Sequence, residues 1–348
     1  MNIKDIIKYL GEYDGKPLTF MEVCGTHTAA ISENGIPSLL SDKIRLISGP
    51  GCPVCVTASG YIDKLCELAL KPDTCIVTFG DLIRVPSSNT SLQEIKSKGG
   101  RVQMVYSPFE IIDLAKAEPE TEFVFAAVGF ETTTPIYAVL TEKIIAENIK
   151  NIKLLTALKT MPGAIESLCD MGNKVDGFIA PGHVSVITGA KEFVPLAEKY
   201  KLPFVVSGFK GEELLAAIYA LVKLNGQGKV LNFYKSAVTD DGNTKAKELV
   251  NKYFTPCNAY WRGIGEIPQS GMILKPEYEY LDAGSSDLTA DNKKNNACRC
   301  GEVITGFISP AECPLFKKVC TPENPQGACM VSNEGSCFHY YINNRGQI

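Results

Sequence analysis

Short, nearly unbroken apolar runs recur between residues 18 and 210, and they constrain the fold more than any other feature of the chain. They are TFMEVC (19–24), IRLISG (44–49), TCIVTFG (74–80), VQMVYS (102–107), EFVFAAVGF (122–130), IKLLTAL (152–158), DGFIAPG (176–182) and PFVVSGF (203–209). None shows the strict alternation of a half-exposed strand. Strands buried on both faces read this way. Between them lie segments such as ASGYIDKLCELAL and SPFEIIDLAKA, with apolar residues at helical spacing. Strand–helix alternation of this kind predicts parallel sheets with crossover helices. The expected fold is α/β: two small parallel-sheet domains (1–105 and 106–225) facing a cleft, followed by a cysteine-rich C-terminal domain (226–348). After about residue 225 the periodic segments stop, and AGSSDLTADNKKNNA (283–297) reads as a polar loop. The tail beyond it is poor in core formers and calls for a staple or a metal.

Composition narrows the function classes. The net charge is −4 and no stretch is polybasic, which argues against nucleic-acid binding. The N-terminus carries no secretory pattern, and no segment approaches the roughly 18–20 apolar residues of a membrane span. A cytoplasmic protein is expected. The 13 cysteines, six of them between Cys298 and Cys337, then point to metal or redox chemistry rather than a disulfide scaffold. Cys66 and Cys75 sit in apolar stretches and read as small buried hydrophobes.

The unusual polar residues fall at strand ends. Cys24 to Thr28 follow the first run, Gly49 to Cys55 the second, Gly80 and Asp81 the third, Gly129 to Thr133 the fifth, and Pro181 to Ser185 the seventh. In parallel sheets the ligand crevice lies outside the carboxyl ends of the strands, so these motifs are expected to converge. The set holds three thiols (Cys24, Cys52, Cys55), two imidazoles (His27, His183) and one carboxylate (Glu131). Soft and borderline donors of this kind suit iron, copper or zinc. Each also has a plain structural reading: His27 and His183 as turn or cap residues, Cys24 as a buried strand-end thiol, Glu131 as an acid at a helix N-terminus, and Thr132 to Thr134 as N-caps. Joint placement favours a site.

GPGCPVC (49–55) is the sharpest single signal. Its Cys-x-x-Cys pair, expected to precede a helix directly, would place Cys52 near a helix N-terminus, where a thiol acidifies. One such pair cannot complete a four-ligand structural zinc site, so a redox or mixed-ligand role leads. In the tail, Cys298, Cys313, Cys320 and Cys337 are spaced C-x14-C-x6-C-x16-C, with Cys300 and Cys329 inside the same segment. Four such thiolates can hold a [4Fe–4S] cluster or zinc. His339 reads as a surface or packing residue.

Taken in order, CGTHT (24–28), GPGCPVCVT (49–57), FGDLIRVP (79–86), GFETTTP (129–135), PGHVSVITG (181–189) and the cysteine tail resemble the HypD family of hydrogenase maturation factors. GFKGEELL (208–215) and NFYKSAV (232–238) are looser. The resemblance implies a scaffold that assembles the Fe(CN)2CO group of [NiFe]-hydrogenase with a small HypC-type partner and a HypE-type cyanide donor. It implies two α/β domains and a [4Fe–4S] domain. Carried onto this chain, it makes Cys24 the ligand of the nascent iron, with His27 beside it. Cys52 and Cys55 become a redox dithiol near a cleft lined by Glu131 and His183. Cys298, Cys313, Cys320 and Cys337 become the cluster ligands, and Cys300 and Cys329 a second, relaying dithiol. The rival readings are a free-standing thiol–disulfide oxidoreductase, an iron–sulfur lyase and a zinc-stabilised binding module.

Overall fold

A computed structural model describes residues 2–343 except 173, 287 and 294. Eleven strands occur among the described residues: β1 Leu18–Glu22, β2 Ile44–Ser48, β3 Thr74–Thr78, β4 Val102–Met104, β5 Glu122–Gly129, β6 Ile152–Lys159, β7 Gly177–Ala180, β8 Phe204–Val206, β9 Val230–Asn232, β10 Phe254–Trp261 and β11 Gly265–Leu274. The first eight coincide with the eight apolar runs. They form two sheets, ordered β2-β1-β7-β8-β9 and β10-β11-β6-β5-β3-β4. Every pairing in the first is parallel. The second is parallel from β6 to β4, and β11 and β10 extend it antiparallel.

The sheets are not divided in chain order. β1 and β2 pair with β7, while β3 and β4 pair with β5, so both sheets draw strands from either side of residue 105. The segment after residue 225 also completes both sheets, through β9 and through the β10–β11 hairpin. Apolar periodicity sets strand type; it carries no record of which strand pairs with which.

Burial explains the unbroken runs. All five residues of β3 and seven of the eight in β5 are buried. One core lies on the outer face of each sheet. On the first, Phe20 and Ile179 share a cluster with Leu214, Ile218 and Leu221 of the helix Gly211–Leu224. On the second, Phe123, Phe125 and Tyr137 fill the space. A third and larger core joins the inner faces, with Val23, Val128 and Ala180 packed together with Val303, Phe316 and Met330 of the cysteine-rich tail. The tail therefore shares its core with both sheets. Cys66 and Cys75 are buried in apolar surroundings as expected, and residues 283–297 form an irregular segment over the positions described.

The hairpin was hidden from periodicity by Pro256, Pro268 and a bulge between Cys257 and Ala259. Its turn uses Gly263 and Gly265, both at positive φ, where glycine is unstrained. Trp261 at its tip is fully buried, stacks on Phe130 at 5.8 Å between ring centres, and donates from Nε1 to Ser270 Oγ at 2.8 Å. It also bridges to Thr57, two residues beyond Cys55. Truncation of Trp261 to Ala is expected to destabilise the protein by about 3–5 kcal/mol, the usual range for a buried aromatic. Urea unfolding of W261A measures this; a loss below about 1 kcal/mol would show that the hairpin tip is not anchored as described.

Candidate functional site

The parallel part of each sheet reverses its strand order once. In the first the chain lays β2 on one side of β1 and β7 on the other; in the second, β4 and β5 flank β3. Such switch points open a crevice between adjacent loops at the strand ends. Both crevices feed one cavity of about 260 Å³. Cys24 and His183 enter it from the ends of β1 and β7, and Asp81, Thr132 and Thr133 from the ends of β3 and β5. Gly51 and Pro53 follow β2, and Glu334 arrives from the cysteine-rich tail. Asp81 and His183 are exposed, whereas Cys24 is only 8% exposed and forms part of the inner wall.

Cys24 is held by its neighbours' backbones. It adopts extended geometry at the N-cap of the helix Gly25–Glu33. The amide of Gly25 donates to the Gly51 carbonyl at 3.0 Å. A Cβ on Gly51 would lie 2.6 Å from Cys24 Cα, so only glycine lets the GPGCPVC loop come this close. Glu22, 3% exposed, accepts from the Cys24 amide at 2.9 Å through Oε2 and from Thr28 Oγ1 through Oε1. Burial pushes the Glu22 carboxyl up to about 7, against hydrogen bonds that lower it. Burial likewise pushes the Cys24 thiol up to about 12. The amides of Thr26 and His27 oppose the shift, and the carboxyls of Glu22 and Glu334 add to it.

The two imidazoles differ in role. His27 is fully buried and lies outside the cavity lining. Its Nε2 lies 3.2 Å from the Ser207 carbonyl and 3.1 Å from that of Gly208. Both are acceptors, so Nε2 carries the proton and Nδ1 is the bare nitrogen; Nδ1 is buried without a partner. Burial lowers His27 to about 4, which leaves it neutral. His183 is at the cavity. Phe209 touches both rings, at 4.9 Å from His27 and 4.2 Å from His183.

Glu131 is placed elsewhere. Its Oε1 accepts from the Met161 amide at 2.7 Å, capping the helix Met161–Asp170 from the end of the neighbouring strand. Its Oε2 is buried without a partner, and the side chain faces a different cavity, beside Glu192 and Lys247. Only Thr132 and Thr133 of that motif reach the Cys24 cavity. Thr133 occupies the N-cap of the helix Thr134–Ala146 but makes no side-chain capping bond.

Cys52 and Cys55 form a disulfide, with Cα atoms 5.2 Å apart, and are 4% and 2% exposed. The expected helix does not follow them directly. Residues 53–56 make a turn, Thr57 bridges to Trp261, and the helix starts at Ser59. Cys52 therefore lies away from a helix N-terminus, because the hairpin claims the intervening backbone. Cys55 Sγ lies 3.9 Å from the Ala328 carbonyl, next to Cys329.

All six tail thiols are buried. Cys329 Sγ lies 3.1 Å from both Cys300 Sγ and Cys337 Sγ. The hydrogen bond to Cys300, and then burial, raise the Cys298 thiol well above its ordinary range. The pair read as a relay thus touches a thiol read as a cluster ligand. Among the described residues no three His, Cys, Asp or Glu side chains are already arranged around one metal-ion position. In type, number and burial, however, the donor set fits an iron–sulfur group: six soft thiols where four are needed. His339 is a packing residue, with Nε2 2.5 Å from the Asn333 carbonyl.

Sequence reasoning missed Glu22, Phe209 and Glu334. Glu22 was signalled by a lone carboxylate in an otherwise apolar run. Glu334 gave no periodic signal; it lies between two cysteines in a segment without repeats.

The chain is similar to known proteins over nearly its whole length. The HypD family model, described as "Hydrogenase formation hypA family", matches residues 2–344. Hydrogenase maturation factor HypD of Rhizobium leguminosarum bv. viciae is 41% identical over 339 residues, covering 94% of this chain and 88% of that protein. The Cupriavidus necator protein of the same name is 40% identical over 343 residues, covering 94% and 90%. That of Escherichia coli K12 is 38% identical over 346, covering 98% and 93%.

A thiol raised from 9.0 to about 12 has a thiolate fraction roughly a thousandfold lower at neutral pH, and the thiolate is the reactive form. Native Cys24 is therefore expected to react with iodoacetamide at pH 7.5 at least a hundredfold more slowly than in urea. Peptide mass spectrometry with timed quenching reads both rates; equal rates would contradict the burial described.

Proposed function

The chain belongs to the HypD family of hydrogenase maturation factors, and from that premise we propose that it is a scaffold for the Fe(CN)2CO group of [NiFe]-hydrogenase. The observation that carries the reading is the Cys24 cavity. One thiol stands in its wall, the Cys52–Cys55 loop packs on that thiol's backbone, and the cysteine-rich tail supplies Glu334 to the same space. In this role Cys24 binds the iron as thiolate, the iron being cargo rather than a resident cofactor. A HypC-type partner supplies further ligation, and a HypE-type partner supplies cyanide as a thiocyanate.

Release of cyanide from a thiocyanate is a reduction. R–S–C≡N takes up two electrons and one proton to give R–SH and CN⁻. Oxidation of the Cys52–Cys55 dithiol to the disulfide yields two electrons and two protons, so one dithiol serves one cyanide. Cys52 and Cys55 must then be re-reduced. The contact between Cys55 and the backbone next to Cys329 provides the shortest path to the tail thiols. Cys298, Cys313, Cys320 and Cys337 would hold a [4Fe–4S] cluster, which supplies electrons one at a time when bound. Cys300 and Cys329, 3.1 Å apart, would gather two of them as a dithiol. His27, neutral and tied to two carbonyls, fixes the turn after β8 that carries Phe209. Phe209 in turn supports His183 at the mouth.

A free-standing oxidoreductase is less well supported, because a pair 4% and 2% exposed is closed to a protein disulfide. The test is an infrared spectrum of the protein isolated anaerobically with its HypC-type partner. Cyanide and carbonyl stretching bands are expected in the wild type. They should be absent in C24A, whose Cys52–Cys55 pair should still be reducible by dithiothreitol. Bands that persist in C24A would remove Cys24 from the role proposed. No bands in wild type with partner bound would remove the scaffold reading.

A further inference from the structure

Arg262 stands at the tip of the β10–β11 hairpin, just after Trp261, and the fold buries it between the two thiol sets of the proposed relay. It is 8% exposed. Its amide donates to the Val56 carbonyl at 2.8 Å, and its Nε donates to the Thr57 carbonyl at 2.8 Å. Both carbonyls belong to the exit of the Cys52–Cys55 loop. On the other side Gly263 meets Gly301 backbone to backbone: a Cβ on Gly301 would lie 2.7 Å from Gly263 Cα. The hairpin tip therefore links the disulfide loop to the segment that carries Cys298 and Cys300.

The guanidinium keeps one donor unused. Nη2 is buried and has no hydrogen-bond partner. The Asp291 carboxylate approaches Nε instead, at 3.6 Å. A buried N–H without an acceptor is costly. Arg262 lines a cavity of about 160 Å³ together with Cys298 and Cys300. A Cβ on Gly327 would lie 3.0 Å from Cys298 Sγ and 3.4 Å from Cys300 Sγ, so both sulfurs border this space. Besides Asp291, two other charged residues line it among those described. Lys293 is exposed to solvent, and Glu302 is paired with Arg299. Arg262 is thus the one buried cation among the described lining residues, and it stands beside two sulfurs.

We propose that Arg262 is a positioning residue for the iron–sulfur group of the tail: its fixed charge and its free Nη2–H favour the electron-rich form of that group and raise its reduction potential. The inference rests on the reading that Cys298, Cys313, Cys320 and Cys337 hold a [4Fe–4S] cluster. The potential of such a cluster follows its net charge, the hydrogen bonds to its sulfurs and its solvent exposure. Reduction adds one negative charge to a group that four thiolates already make anionic, so a buried cation beside it favours the reduced form. A guanidinium suits the task because it stays protonated at every working pH. The same side chain grips the exit of the disulfide loop, so the charge at the tail and the seating of that loop depend on one residue.

The test is a mediated dithionite titration of the full chain, isolated anaerobically and followed by electron paramagnetic resonance of the reduced cluster. R262Q is expected to make reduction at least tenfold less favourable, a fall of about 59 mV for a one-electron couple. R262K, which keeps the charge, should lose less than half of that. D291N removes the acid beside Arg262 and keeps the Oδ1 that accepts from the Ser59 amide, so its potential should rise. This variant decides the matter if R262Q loads no cluster. The proposal is overturned if R262Q keeps the wild-type potential, if R262K falls as far as R262Q, or if the potential of D291N does not rise. Wild-type protein that holds zinc or no iron removes the cluster reading itself, and this inference with it. An intact cluster with unmoved potentials removes this inference alone.

Discussion

The arrangement depends on close approach of backbone at two glycines. A Cβ on Gly51 would run into the Cys24 backbone, and one on Gly25 would run into Glu334, 3.0 Å from its Cα. These contacts pin three segments of the chain together: the end of β1, the disulfide loop after β2, and the tail between Cys329 and Cys337. All three also share the inner core, where residues of both sheets and of the tail pack in one cluster. A side chain at either glycine would pry the Cys24 thiol away from the disulfide loop or from Glu334 without touching the sheets. The positions therefore matter to the site more than to the fold.

The inner strands β1, β3, β5, β6, β7 and β8 were legible because they are buried along nearly all of their length, so apolar content alone marks them, whereas the edge strands β2 and β4 are partly exposed. The convergence of Cys24, Asp81, Thr132, Thr133 and His183 was legible for a different reason. Switch points force loops at strand ends to open on one side, whichever strands pair. Pairing itself was not legible. Nothing in β3 says that its neighbour is β5 rather than β1, and the exchange of strands between sheets follows from long-range packing. The hairpin escaped because two prolines and a bulge break its alternation. Glu131 shows the limit within a motif. Its neighbours Thr132 and Thr133 reach the Cys24 cavity, while its own side chain turns to the amide of Met161; all three lie in the turn after β5, where no strand alternation predicts direction.

The tail raises a similar point about spacing. Cysteine intervals separated four thiols from two on paper, but folding puts Cys329 between Cys300 and Cys337. Spacing fixes the order of ligands along a chain, and contact decides which thiols exchange electrons. With Cys55 beside Ala328, the loop that carries Cys329 is common to both ends of the proposed relay.

Charge gives the Cys24 cavity its direction. Glu22 and Glu334 both raise the Cys24 thiol, Glu22 is itself raised by burial, and among the described residues no lysine or arginine lines the space. A wall of thiol and carboxyl groups in a low-dielectric site cannot ionise freely, since each negative charge penalises the next. Protons are one way to neutralise it; a cation is the other. Arrival of a metal ion would let Cys24 ionise and release its proton, and metal binding would then be coupled to proton loss at a group that is otherwise inert. The Cys52–Cys55 loop and its exit border two cavities. The loop touches the first through Gly51 and Pro53, and Thr57 just beyond it lines the second. A displacement of that loop would therefore move wall residues of both cavities.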